Sequence, residues 1–140
     1  MTLVELVVTI SILVVIATLC FPKDNISKYQ VNSFIKQLCS DIRYVRKCNM
    51  NGNTGVYIYY GENEDNQSYI LRENGKNIKE IVLPKEAKLN YVYSKIIFKS
   101  DGSPNPLGTT ITVWFKGNKK EITIVPISGR VLIKEGIYEV

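Results

Sequence analysis

Residues Met1 to Pro22, MTLVELVVTISILVVIATLCFP, form an almost unbroken apolar run interrupted by one acid, Glu5. At about 1.5 Å of rise per helical residue, a helix from Leu3 to Phe21 is near the roughly 20 residues that cross a bilayer's hydrocarbon core. Residues 1–22 are therefore predicted to be a transmembrane helix. Past Asn25 the period becomes that of an amphipathic helix, with Val31, Phe34, Ile35, Leu38, Ile42 and Val45 on one face up to about Cys48. The other face carries Lys36, Arg43, Arg46 and Lys47 against Asp41, a basic stripe read first as a solvated surface. Residues 23–50 are expected to continue the first helix outward, until the Asn and Gly of Asn49 to Gly55 end it.

The period then changes from helical to alternating. Gly55 to Tyr60 is aromatic and β-branched, the acidic stretch Glu62 to Asn66 reads as a solvated loop, and Ser68 to Arg72 reads as the returning strand of a hairpin. Further strands are expected at Ile78–Leu83, Leu89–Tyr93, Lys95–Lys99, Thr109–Phe115, Lys120–Val125 and Gly129–Lys134, with Gly117-Asn118 as a tight turn. Residues 51–140 thus form an antiparallel β domain whose core the amphipathic helix covers. The class is α+β: a long N-terminal transmembrane and amphipathic helix packed on an antiparallel β-sheet.

Composition narrows the function. After an anchor of two dozen residues, a 140-residue chain has room for one further domain. Net charge is +5 and His is absent, so the commonest acid–base side chain is missing. No phosphate loop, nucleophile elbow or metal-ligand spacing is present, and neither enzymatic activity, a metal nor a cofactor is expected. Cys20 falls in the apolar helix, while Cys39 and Cys48, nine positions apart on one helix, would stand roughly 13 Å apart along its axis, too far to bridge. The tyrosines Tyr57, Tyr59, Tyr60, Tyr69, Tyr91 and Tyr93 read as strand packing, and Asp101 to Gly108 as turn chemistry.

Glu5 is the residue that packing does not explain. A carboxylate inside a spanning helix costs roughly 2.5 kcal/mol or more and calls for a partner. A cleaved secretory signal is disfavoured because no Lys or Arg precedes Lys23, and lipidation at Cys20 because Leu19 stands before it. The string Thr2-Leu3-Val4-Glu5-Leu6 opening an apolar helix, with Pro22 at its far end, resembles the mature N-terminus of type IV pilins and of the pseudopilins of type II secretion. Met1 stands where that family most often has Phe. The later segments Phe98 to Gly102, Thr109 to Phe115 and Ser128-Gly129-Arg130-Val131 resemble minor pilins and pseudopilins of the FimT and GspH type.

The resemblance implies prepilin cleavage and N-methylation at Met1, and assembly into a filament, its tip or its initiation complex through Met1, Glu5 and Pro22. It further implies, as partners, other pilin subunits, a prepilin peptidase and an inner-membrane assembly platform. The subunit is expected to sit in the cell membrane by a single pass before assembly, with its C-terminal domain outside the cytoplasm, and in a pilus or pseudopilus afterwards. Stacked helices would let Glu5 meet the α-amino group of a neighbour's Met1. Lys23 and Lys28 follow the span with nothing basic before it, so a basic leader ahead of Met1 is expected to have been removed. The alternative function is DNA binding during uptake, through phosphate contacts from Arg43, Arg46, Lys47, Lys119, Lys120, Arg130 and Lys134. In the Gly-Arg-x-Arg pattern of DNA-binding relatives, Gly129-Arg130-Val131-Leu132 keeps the first Arg and has Leu for the second.

Overall fold

The computed structural model describes residues 2–20, 23–63 and 66–137. Helix α1 spans Leu3–Leu19 with Cys20 as its C-cap, and helix α2 spans Lys23–Met50. The single long helix expected from the sequence is therefore assigned as two. Met1 and Pro22, both expected to serve assembly, lie outside the described residues.

The apolar stripe of α2 forms the middle of the core. Val31, Phe34, Ile35, Leu38, Ile42 and Val45 are all buried, joined there by Cys39. They pack against strands of two sheets rather than the one expected. The first sheet runs β3 (Lys76–Val82), β2 (Asn66–Glu73), β1 (Val56–Asn63), β5 (Lys95–Phe98) and β6 (Pro104–Asn105); the second runs β4 (Ala87–Asn90), β7 (Thr109–Phe115), β8 (Asn118–Ile124) and β9 (Val131–Ile137). Every pairing is antiparallel, and α2 touches β1 and β5 of one sheet and β7 and β9 of the other. A half-buried helix laid along two sheets needs an apolar face wide enough to meet both, which the three-and-four spacing supplies.

Several boundaries differ from the sequence expectation for local reasons. Glu62, Asn63 and Asn66 belong to paired strands, because the β1–β2 ladder runs on to Asn63 opposite Asn66. The β7–β8 turn centres on Lys116 and Gly117, both at positive φ, one residue earlier than expected. Asn74 and Gly75, also at positive φ, close the β2–β3 hairpin. Asn-Gly between two strands is a strong hairpin signal that marks this turn in the sequence as well. The expected strand Leu89–Tyr93 is β4, ending at Asn90, and the short strand β6 lies inside the stretch read as a loop.

Two polar residues of α2 hold the layers together. Asp41, placed by its charge on the solvated stripe, is instead buried at 6 % exposure. Its carboxylate accepts from the Tyr69 hydroxyl at 2.7 Å, from Lys79 Nζ at 2.8 Å and from Gln37 Nε2. A charge can sit there because each oxygen has a donor. Asn49, read as part of a helix stop, is fully buried; its amide donates to the carbonyls of Asn53 and Val56 and accepts from the Phe98 N–H. One side chain thus ties the end of α2 to β1 and β5.

Candidate assembly site

The N-terminal helix begins with a reciprocal cap. Thr2 is its N-cap, the Glu5 N–H donates to Thr2 Oγ1 at 3.3 Å, and the Thr2 N–H donates to Glu5 Oε2 at 2.7 Å. The Thr-x-x-Glu spacing is a capping box, a local pattern written in the sequence itself. The carboxylate also faces the positive end of the helix dipole. Glu5 is therefore partly compensated within its own chain, and it remains exposed.

Beyond the cap, α1 presents apolar surface on every side. None of its residues is buried, and Leu6, its most covered large apolar side chain, is still 45 % exposed. The polar side chains do not interrupt this surface, since Thr9, Ser11 and Thr18 donate back to the carbonyls of Leu6, Val7 and Val15. Every hydroxyl is thus satisfied inside the helix, the condition an apolar surrounding imposes. Burying each Val, Leu or Ile side chain is worth about 1.5–3 kcal/mol, so a helix of this composition demands cover that its own domain does not provide. At 17 residues, α1 is about 25 Å long. Among the described residues no helix is long and apolar enough to cross a membrane.

The candidate DNA-contacting residues fall in separate places. Arg43 and Lys47 are exposed on α2. Arg46 is half-buried and donates from Nε to the Gly102 carbonyl at 3.0 Å, where Gly129 packs against the same oxygen, and Arg130 is exposed. Lys119 and Lys120 lie on β8, where Lys119 pairs with Glu121 and Lys120 with Glu135 at 2.7 Å. Lys134 is exposed on β9, in register opposite Glu121. In the loop beyond β5, Asp101 accepts from the N–H and hydroxyl of Ser103, and those bonds hold its carboxyl below the usual range.

The tyrosines divide by strand parity. Tyr60 and Tyr69 are buried, Tyr60 stacks on Tyr91 with centroids 4.5 Å apart, and Tyr69 meets Phe34 edge to face. Tyr57 and Tyr59 point the other way, under Lys95 and Arg72. Cys20, Cys39 and Cys48 are free.

No family model and no curated protein matches the sequence. Solved structures do match its fold. The type IV minor pilin FimU of Pseudomonas aeruginosa superposes with a TM-score of 0.61 at 11 % identity, over 76 % of this chain and 90 % of that one. The minor pseudopilin EpsH from the type 2 secretion system of Vibrio cholerae superposes with a TM-score of 0.53 at 8 % identity, over 76 % of this chain and 97 % of that one. An amphipathic helix laid across two antiparallel sheets is thus a pilin-like fold, similar to those of a type IV minor pilin and a type II secretion minor pseudopilin.

Proposed function

We propose that the chain is a minor type IV pilin or pseudopilin, a non-enzymatic subunit that assembles through α1 into a pilus or pseudopilus, or into its tip or initiation complex. The observation that carries this reading is the uncovered helix: an apolar surface on all sides, capped at one end by Thr2 and Glu5. Before assembly the lipid bilayer covers it, as a single-pass anchor with residues 51–140 outside the cytoplasm. After assembly the helices of neighbouring subunits cover it. In that bundle the Glu5 carboxylate loses water and needs a cation, which the α-amino group of a neighbour's Met1 supplies. The same reading includes prepilin cleavage ahead of Met1 and N-methylation there. Intact mass of the membrane-extracted chain tests this: a start at Met1 with one added methyl group is expected, and an unprocessed or formylated start would refute it.

The test of assembly is Glu5→Ala alongside Glu5→Gln. Alanine removes charge and cap together, whereas glutamine keeps an oxygen able to accept from Thr2 and removes only the charge. Both variants should enter membranes at least as well as the parent, and Glu5→Ala should be missing from sheared filaments. Normal incorporation of Glu5→Ala would refute the assembly role. Loss in Glu5→Gln as well assigns the effect to charge rather than to the cap.

The alternative role, DNA binding during uptake, would draw on Arg43, Arg46, Lys47, Lys119, Lys120, Arg130 and Lys134. A protein contacting several phosphates through them should lose DNA affinity by roughly a thousandfold or more between low and moderate salt. Salt-independent or undetectable binding removes that alternative.

A further inference from the structure

Between the second and third turns of α2 and the second sheet lies a pocket of about 290 Å³. Its floor is apolar, made by Val31, Val113 and Phe115, all buried. Its rim carries the cations Lys28 and Lys120, with Glu135 as the carboxylate among its lining residues.

The charges around the pocket do not cancel. Lys120 donates to Glu135 and to Asn32 Oδ1, each at 2.7 Å, whereas Lys119 pairs with Glu121 on the opposite face of β8. Glu135 is held below the usual carboxylate range by the hydrogen bond from Lys120 and by its charge, and also by Lys28 and Lys36. Among the described residues one carboxylate, Glu135, therefore faces the three lysines Lys28, Lys36 and Lys120. The surplus of positive charge sits above an apolar floor.

That combination selects an anionic amphiphile. A free anion gains nothing from Val31, Val113 and Phe115, and a neutral apolar ligand gains nothing from the lysines. Position in the chain names the source, on the reading of α1 as a membrane anchor: Lys28 stands on the second turn of the helix that follows α1, among the first cations past the apolar segment. Cations so placed meet the headgroup layer, where they attract anionic lipid. We propose that this pocket seats the headgroup of an anionic phospholipid, with the phosphate at Lys28 and Lys120 and the start of the acyl region over Val113 and Phe115. The contact would fix the domain against the membrane surface before assembly, and would have to be released when the subunit leaves the bilayer.

Trp114 and Lys119 share the face of the second sheet turned away from the pocket, so occupancy is read instead from the nuclear magnetic resonance shifts of the Val31 and Val113 methyl groups on its floor. The full chain in neutral detergent is titrated with dihexanoylphosphatidylglycerol, with dihexanoylphosphatidylcholine and with inorganic phosphate. A saturable change is expected with the phosphatidylglycerol at concentrations about tenfold or more below those needed of the other two. Lys28→Gln with Lys120→Gln should raise that midpoint about tenfold or more, Lys28→Gln alone by less, and Lys28→Arg hardly at all. Circular dichroism confirms that the variants are folded.

An equal response to both lipids, an equal response to inorganic phosphate, or a midpoint indifferent to Lys28 would each overturn the proposal. Flotation of the chain with liposomes tests the anchor separately. A chain that floats but ignores phosphatidylglycerol keeps its anchor and loses this site. Because the lipids in the titration are short-chain and soluble, that measurement decides the pocket even if the chain does not float.

Discussion

Removing the Asp41 carboxylate should cost the domain more than any surface charge does. In Asp41→Ala the Tyr69 hydroxyl, now without its acceptor in a fully buried position, carries a desolvation penalty of about 1–3 kcal/mol. The ion pair with Lys79 adds little, because the Lys79 side chain is 32 % exposed and solvent takes over much of its interaction, leaving about 1 kcal/mol or less. Gln37 is part-exposed and recovers its bonds from water. The sum is about 1–4 kcal/mol, a fall of roughly 4–16 °C in Tm for a domain of this size. Urea and thermal unfolding of the detergent-solubilised chain, followed by near-ultraviolet circular dichroism, would measure it. Tyr69→Phe in the Asp41→Ala background removes the stranded hydroxyl, so the double variant should be less destabilised than the two single costs added, with a coupling of about 1–2 kcal/mol. Strict additivity, or a loss under about 1 kcal/mol for Asp41→Ala, would show that the buried carboxylate does not hold α2 to β2.

Gly129→Ala should destabilise by about 2–4 kcal/mol, because a Cβ there would fall 2.0 Å from the Gly102 carbonyl oxygen at a φ of +61°. Gly117→Ala, at φ +77° with nothing within 4 Å of its Cβ, should cost only about 1 kcal/mol, and equal losses in urea midpoints would refute the close-approach argument. Alkaline stability follows from Tyr60 and Tyr69, whose phenols burial pushes well above the ordinary range, with the Asp41 hydrogen bond adding to the effect on Tyr69. Both are neutral in either state below about pH 10, and above it only the unfolded chain ionises. Their contribution is therefore fully present below about pH 10 and is lost as pH rises towards the folded-state values. Tm should fall across that range, less steeply in Tyr60→Phe and Tyr69→Phe, and an unchanged slope in both variants would refute it.

Much of this molecule was legible along the chain because the relevant forces are periodic and local. The apolar run of α1, the stripe from Val31 to Val45 and the alternation in β7 and β8 each follow from burying one face of a regular element, so spacing alone located them. The Thr2 to Glu5 cap is equally local. What the tertiary structure decided is where long-range partners override a residue's average behaviour. Asp41 looks solvated by charge and is buried, because Tyr69 and Lys79, far away in sequence, bring donors to it. Asn49 looks like a helix stop and is a core hub, because β1 and β5 converge on its amide. Lys28 and Lys120 look like scattered surface charge, and they share one pocket rim because α2 crosses the second sheet there. Helical and strand periods are written into neighbouring residues, but the satisfaction of a buried polar group depends on which distant strand arrives beside it.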